Sequence, residues 1–202
     1  MANTSRINGF SIADNHGGNS GKVNLYYVAS AADEILRGDI VKIGSTTTAD
    51  GIMTADLCGA SDVPLGVVVG VLHNKFEALG KMTTGSTTLD LPNAAQIAAS
   101  GAGFVLVCDD PDVILEAETS NGTAAITDIG LNVSHANGAR TASTISSPAT
   151  VDMGTEATTN TLNFQLIGFG KRIDNEPGGA SARVRVRFNV HQFRTGTGST
   201  GI

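Results

Sequence analysis

The sequence of 202 residues is poor in aromatic and charged side chains. It contains no Trp, two Tyr and seven Phe, so it has few of the aromatic faces on which sugar-binding modules and base-stacking platforms depend. Only 16 % of its residues are charged, against roughly a quarter in a typical globular protein. Much of the surface must therefore consist of small polar residues, or be covered by a partner.

The chain is also short of positive charge and of long apolar runs. Its 13 Lys and Arg stand against 19 Asp and Glu, a formal net charge of −6, so we predict no binding to nucleic acid. Apolar runs such as residues 65–72 are far shorter than the roughly 20 residues that cross a bilayer, and the polar N-terminus shows no signal peptide. We therefore expect a protein of a soluble compartment with no membrane partner.

Cysteine and histidine show no spacing that is typical of a ligand set or a catalytic motif. Cys58 and Cys108 are far apart, which leaves a disulfide open, although a reducing compartment is the simpler expectation. The four histidines have no paired spacing that would indicate zinc, and no serine lies in a nucleophile elbow. We predict no catalytic residue, no cofactor and no enzymatic activity.

Two segments superficially resemble ligand-binding loops. Residues 16–22 have some of the spacing of a phosphate loop, but they lack its first Gly and the Ser or Thr after Lys22. Asp109, Asp110 and Asp112 form an oxygen-rich cluster that could hold calcium. Asp-Pro pairs are also ordinary turn formers, and the run does not match a calcium loop. We predict a turn and no metal site here, with calcium as the alternative.

Strand signals dominate the rest of the chain. Short β-rich runs bounded by Gly, Pro, Asn or Asp occupy residues 23–29, 40–43, 65–72, 104–108, 113–117, 162–169 and 183–193. Only residues 30–36 and 94–100 favour a helix, of one and two turns respectively. The predicted fold class is all-β: a β-barrel or β-sandwich, jelly-roll-like or tulip-like, with extended terminal arms and at most short helices.

We predict one β-domain with an extended segment at each end. Residues 1–20 form an N-terminal arm, residues 21–193 form the domain, and residues 194–202 form a flexible C-terminal tail. Within the domain, residues 139–161 are rich in Thr, Ser and Ala and show weak periodicity. This segment is predicted to be a long loop or arm excursion.

The most informative pattern lies in the last predicted strand, where Arg183, Arg185 and Arg187 alternate with apolar residues. Side chains two apart lie on one face of a strand, so three guanidinium groups form a stripe opposite an apolar face. A solvated cationic face is the simpler interpretation. The alternative is an interface that meets the carboxylates of a partner, because arginine is suited to paired hydrogen bonds and is enriched at interfaces. Arg194, which follows the strand, is included in this predicted interface.

Several segments follow one another in an informative order. They are residues 26–30 (YYVAS), 35–41 (ILRGDIV), 65–71 (LGVVVGV), 105–116 (VLVCDDPDVILE), 128–132 (DIGLN), 166–169 (LIGF), 174–176 (DNE) and 184–191 (VRVRFNVH). Their order and spacing resemble a family of tailed-phage head proteins that decorate or cement the capsid. The resemblance implies a β-barrel or sandwich, synthesised in the host cytoplasm and placed on the outer capsid surface of the virion. It implies the major capsid protein as partner, and no catalytic residue.

We also expect the protein to bind itself, with a homotrimer favoured over a homodimer. The alternatives are another virion component, such as a tail or fibre module, and a small hydrolase on a β-scaffold. The low aromatic content argues against a sugar-binding fibre module. A major capsid subunit is disfavoured because such subunits are generally larger and carry a long helix.

Overall fold

The computed structural model describes residues 3–15, 21–28, 34–47, 51–72, 96–97, 103–140, 146–194 and 196–201. These residues contain thirteen strands and one short 3-10 turn, Ile126–Asp128. The strands are β1 (Ser11–Asn15), β2 (Val23–Val28), β3 (Ile35–Leu36), β4 (Ile40–Thr47), β5 (Met53–Leu57), β6 (Gly66–Leu72), β7 (Gln96–Ile97), β8 (Gly103–Cys108), β9 (Val113–Ser120), β10 (Asn132–Ala136), β11 (Thr150–Ala157), β12 (Phe164–Phe169) and β13 (Arg183–Phe188). The predicted all-β class is confirmed.

Five strands close into a small barrel in the order β2-β5-β4-β6-β8. Strand β8 lies between β2 and β6 and is antiparallel to both. Because side chains alternate along each strand, one set of apolar residues fills the barrel. This first core contains Tyr26, Val28, Ile35, Val41, Ala55, Leu65, Val68, Val105 and Val107.

The second half of the chain builds a second closed sheet. Its strands run in the order β9-β11-β10-β12-β13, and β13 pairs back onto β9. Strand β1 pairs with the first half of β9, on the edge opposite β13. The interior is filled from all five strands of the ring by Val113, Leu115, Ala117, Val133, Val151, Met153, Phe164, Leu166, Val184, Val186 and Phe188.

The two barrels share a continuous boundary. Ile40, Cys58, Val67 and Cys108, which belong to the first half of the chain, pack into the core of the second barrel. Both cysteines are buried free thiols, so the disulfide that the sequence left open is not formed. Burial, with a smaller effect of Asp62, raises the pKa of Cys58 to about 12, so its thiol stays protonated at neutral pH.

The segment 139–161 is not the uninterrupted excursion that we predicted, because it contains β11. Val151 and Met153 point into the second core, while Asp152 lies between them and Gly154, Thr155 and Glu156 follow. The apolar alternation that defines this strand is therefore only two residues long, too short to be distinguished from a loop in the sequence.

The prediction of an N-terminal arm over residues 1–20 is wrong for Phe10 and β1, which belong to the fold, while residues 1–2 and 16–20 lie outside the described residues. Phe10 is only 3 % exposed and stacks on Phe164 with 5.2 Å between ring centroids. Gly9 precedes it with φ of +67°, and an added Cβ would lie 2.5 Å from Cβ of Ser147. A glycine is required there for the chain to turn into the core.

The C-terminal residues 196–201 are held by the second barrel rather than free, which corrects the prediction of a flexible tail. The side-chain amide of Asn132 donates to the carbonyl of Ser199 at 2.7 Å, and the Ser199 amide donates to Oδ1 of Asn189 at 2.8 Å. The Gly201 amide donates to the carbonyl of Thr158 at 3.1 Å. These backbone contacts could not be anticipated from a segment rich in Gly, Ser and Thr.

Both predicted helices are wrong where the structure describes them. Strands β3 and β7 lie inside residues 30–36 and 94–100, and they pair with each other in antiparallel register. A helix of one or two turns has little stability of its own, so tertiary pairing overrides it. Apart from Glu34, the other residues of the two segments lie outside the described residues. None of the described segments forms a helix with the length and apolar character of a membrane span.

A buried carboxylate fastens the connection between β10 and β11 to the first barrel. Asp39 is fully buried, and Arg140 donates to its Oδ2 and Oδ1 at 2.8 and 3.0 Å. The Ser147 hydroxyl donates to Oδ1 at 2.5 Å and the Leu36 amide to Oδ2 at 2.7 Å. Arg140 also donates to the carbonyl of Glu34. Asp39 is thus both charge-paired and hydrogen-bonded, as a buried carboxylate requires.

We predict that Arg140→Ala lowers the free energy of unfolding by about 3 kcal/mol or more, because it leaves the Asp39 carboxylate buried without its counter-charge. Urea titration measures this loss. The control is Arg6→Ala, an exposed position where the change should stay within about 0.5 kcal/mol. Equal losses in the two variants would contradict the assigned role of Arg140.

A second prediction concerns pH. His191 is 2 % exposed, packs against the rings of Phe188 and Phe193, and accepts a hydrogen bond from the Phe193 amide at 3.1 Å. Burial, helped by the nearby Arg194, lowers the pKa of His191 from 6.5 to about 4. Between these values the unfolded chain binds a proton that the folded chain does not, so the free energy of unfolding must fall as the pH drops through this window.

We predict that His191→Gln flattens the loss of stability between pH 6.5 and pH 4, removing up to about 3 kcal/mol of it. The measurement is urea unfolding at several pH values for both chains. Some slope should remain, because burial also lowers the pKa of His135. Parallel pH profiles for wild type and variant would show that His191 does not titrate in this way.

Candidate partner-binding surface

Strand β13 presents its three arginines on the outside of the second barrel. Val184 and Val186 are fully buried and Phe188 is 1 % exposed, while the arginines between them lie at the surface or partly covered. The predicted alternation of an apolar face and a cationic face is therefore confirmed. Whether the cationic face meets a partner stays a prediction.

The stripe is accompanied by carboxylates of the same chain, which we did not predict. In the register of β9 with β13, Arg183 lies opposite Glu118 and Arg185 lies opposite Glu116. Directly opposite residues of an antiparallel pair share one face, so opposite charges there stabilise the sheet. We call this set, Arg183, Arg185 and Arg187 with Glu116 and Glu118, the arginine face.

Glu116 is shared between two cations. Its Oε1 lies 3.1 Å from Nη2 of Arg172 and 4.0 Å from Nη1 of Arg183. The Arg172 side chain is 47 % exposed, so solvent screens its ion pair and the pair contributes at most about 1 kcal/mol. Two guanidinium groups with one carboxylate between them leave positive charge in excess.

Glu118 holds the first residues of the chain across this face. Its side chain is almost completely buried, and it accepts hydrogen bonds from the Ser5 hydroxyl at 2.7 Å and the Arg6 amide at 2.6 Å. Arg183 donates to the carbonyl of Arg6 at 2.6 Å. Further along, the Asn3 side chain bonds to the backbone of Glu176 and Ala180. We call residues 3–8 the N-terminal strap.

Arg187 and Arg185 differ from Arg183 in how they are partnered. Nε and Nη2 of Arg187 donate to Oε1 of Gln165 at 3.0 and 2.6 Å. This acceptor is neutral, so it orients the exposed Arg187 without balancing its charge. Nε of Arg185 is buried and has no hydrogen-bond partner among the described residues. Neither of these two arginines forms an ion pair among the described residues, so they are the candidates for contact with a partner.

Arg194 is not part of the arginine face. It lies beyond the end of β13, where it pairs with the carboxylate of Asp112 and donates to the carbonyl of Phe188 at 3.4 Å. The sequence places it close to the stripe, but β13 ends before it. The structure thus brings together three of the four predicted interface residues.

The aspartate cluster forms a turn, as predicted. Asp109 is buried and accepts hydrogen bonds from Asn24, at 2.8 Å for the shorter contact, and from the Tyr26 hydroxyl at 2.6 Å. Burial, together with this bond to Asp109, raises the pKa of Tyr26. Asp110 accepts from the Asp112 amide at 3.0 Å, the contact of an ordinary Asx turn.

Within the part of the chain that the structure describes, no three His, Cys, Asp or Glu residues are grouped to hold a metal ion. Most of the phosphate-loop-like segment, residues 16–20, lies outside the described residues.

The arginine face, taken with the two arginines that flank it, is cationic on an acidic chain. With Arg6 from the strap and Arg172 beside Glu116, five arginines accompany two glutamates here, whereas the chain carries a net charge of −6. Sequence reasoning missed Glu116 and Glu118 because strand register is not readable from one strand. Their own spacing, two residues apart at the end of the predicted strand 113–117 and just beyond it, was the signal that could have indicated them.

Comparisons with known proteins add no relative: no protein-family model, no curated protein and no solved structure matches the chain.

We predict that Glu118→Ala releases the N-terminal strap, because a charged acceptor of two hydrogen bonds is lost from a buried position. Trypsin should then cleave after Arg6 about tenfold faster, the equivalent of about 1.4 kcal/mol in the opening equilibrium. Mass spectrometry of the released peptide measures the rate. Ser5→Ala, which removes one of the bonds, should give an intermediate rate; unchanged cleavage in Glu118→Ala would show that other contacts hold the strap.

Proposed function

We propose that the protein is a structural virion component that decorates or cements the outside of a phage capsid, binding the major capsid protein through the arginine face. The observation that carries the proposal is the excess of arginine on one side of an otherwise acidic chain. The ordered resemblance to phage head proteins supports the same role. The proposal includes no catalytic activity.

The electrostatics suit orientation on an acidic protein surface. The arginine face attracts carboxylates, while the remaining acidic surface is repelled by them, so one docking orientation is favoured. Arg187 is exposed and already held in a defined direction by Gln165, which reduces the side-chain entropy lost on binding. The expected homotrimer would strengthen such a contact, because copies that are linked to one another bind neighbouring sites at a high effective concentration.

The test is co-sedimentation of the purified protein with empty shells of the major capsid protein from the same phage. The double variant Arg185→Gln/Arg187→Gln should lower shell affinity about tenfold and make it less dependent on salt. Arg194→Gln is the matched control, because this arginine lies outside the arginine face. Its affinity should remain close to that of wild type.

Two results would contradict the proposal. One is wild-type protein that does not co-sediment with shells at low salt; the other is equal affinity and equal salt dependence for the double variant and wild type. Counting the protein in purified virions separates the alternatives: hundreds of copies indicate decoration, and a few indicate a tail or fibre component.

A further inference from the structure

An open apolar recess lies beside the first barrel, where β2 and β5 meet the chain that follows β13. Its volume is about 380 Å³. The lining consists of Leu25, Ile52, Met53 and Phe193 on the apolar side and Asn24, Tyr26, Gly51 and Asp109 on the polar side. Met53 is 38 % and Phe193 49 % exposed, so the recess presents apolar surface to solvent.

The recess is preformed. The Phe193 ring lies 5.8 Å from the ring of buried His191, and its amide is bonded to Nδ1 of that histidine. Asp109 is fixed by Asn24 and Tyr26 at the polar side. A ligand that enters does not have to order these groups first, so little binding free energy is lost to rearrangement.

An exposed isoleucine of a size that fits the recess projects from another part of the same chain. Ile173 is fully exposed, with a relative accessibility of 104 %, between β12 and β13. It lies in a turn closed by the Asn175 amide, which donates to the carbonyl of Arg172 at 3.4 Å. We call residues 172–175 the Ile173 turn.

The base of the Ile173 turn is braced by one side chain. Nδ2 of Asn175 donates to the carbonyls of Gly170 and Arg183 at 2.9 and 2.8 Å. Oδ1 of Asn175 accepts from the Arg183 amide at 2.8 Å. The isoleucine is therefore held outward in a fixed position, a costly arrangement for an apolar side chain unless something covers it.

We propose that Ile173 of one copy inserts into the recess of a second copy of this chain. An isoleucine fits a cavity of this volume, and the apolar side of the recess would bury it. Lys171 beside the projection and Asp109 at the recess carry opposite charges, whereas Arg172 and Asp112 are already paired within the chain, with Glu116 and Arg194 respectively. This contact does not depend on the proposed binding to a capsid.

The two surfaces cannot meet within one copy. Asn175 of the Ile173 turn is hydrogen-bonded to Arg183 at the start of β13. Phe193 of the recess packs against His191, which in turn packs on Phe188 at the end of β13. Strand β13 itself spans about 17 Å between these points. A contact between two different surfaces of identical copies is heterologous, so it closes into a ring or extends into a chain.

Two variants test the contact as a pair. Ile173→Asp removes the projection and leaves the recess, and Met53→Asp damages the recess and leaves the projection. Each alone should weaken self-association about tenfold or more in sedimentation equilibrium. Mixed in equal amounts, they should form a one-to-one dimer that does not grow, because a single intact contact remains. The control is Ile126→Asp, which changes another exposed apolar side chain, 71 % exposed and outside both proposed surfaces. It should associate as wild type does.

A second measurement traps the contact covalently. Under mild oxidation, a mixture of Ile173→Cys and Met53→Cys chains should form a disulfide-linked dimer, and a mixture of Ile126→Cys and Met53→Cys chains should not. The native cysteines are buried and do not compete. The proposal is overturned if wild type stays monomeric and the cysteine pair links no faster than its control, or if Ile126→Asp disrupts association as strongly as Ile173→Asp. Shell binding without self-association would leave the arginine-face proposal standing and this one refuted.

Discussion

The pairing of β9 with β13 is the constraint on which most of the structure depends. It closes the second barrel, and it puts Val113, Leu115 and Ala117 of β9 against the valines of β13 inside the core. The same register puts the glutamates of β9 beside the arginines of β13 outside. The inner and outer faces are thus fixed by one register: a slip of β13 by one residue along β9 would turn its valines to the surface and its arginines to the core.

This register also explains how an acidic chain keeps several arginines close together. Like charges directly opposite one another in a sheet are destabilising, and Glu116 and Glu118 interrupt the cationic surface where the strands are closest. The N-terminal strap takes up much of the hydrogen-bonding capacity of Glu118 and of Arg183. The positive charge and hydrogen-bond donors that remain for the proposed partner are concentrated at the far end of the stripe, around Arg187. Under the proposed function, stability and recognition therefore use different members of one row of residues.

The sequence allowed the strands with long apolar runs to be predicted, such as β2, β6, β8 and β9, together with the two faces of β13. It did not allow β10 and β11 to be predicted, because their inward residues are few and separated by Ser, Asp and Gly. It did not show that Phe10 enters the core or that residues 196–201 are held by hydrogen bonds to Asn132, Asn189 and Thr158. Of the surface, the stripe was visible, but its counter-charges, the strap and the recess arise from contacts between residues more than fifty positions apart. Such contacts are set by tertiary packing, and local patterns carry no record of them.

The position of β9 also has a consequence for how the protein is made. One edge of this mid-chain strand pairs with β1, which is synthesised early. The other edge stays unpaired until β13, close to the C-terminus, has been synthesised. During synthesis β9 therefore has an open edge that can pair with any neighbouring nascent chain. Barrel closure is a late event that brings distant parts of the chain together, so folding should be slow and should begin in the first barrel. A chain that stops before β13 could complete the first barrel but not the second.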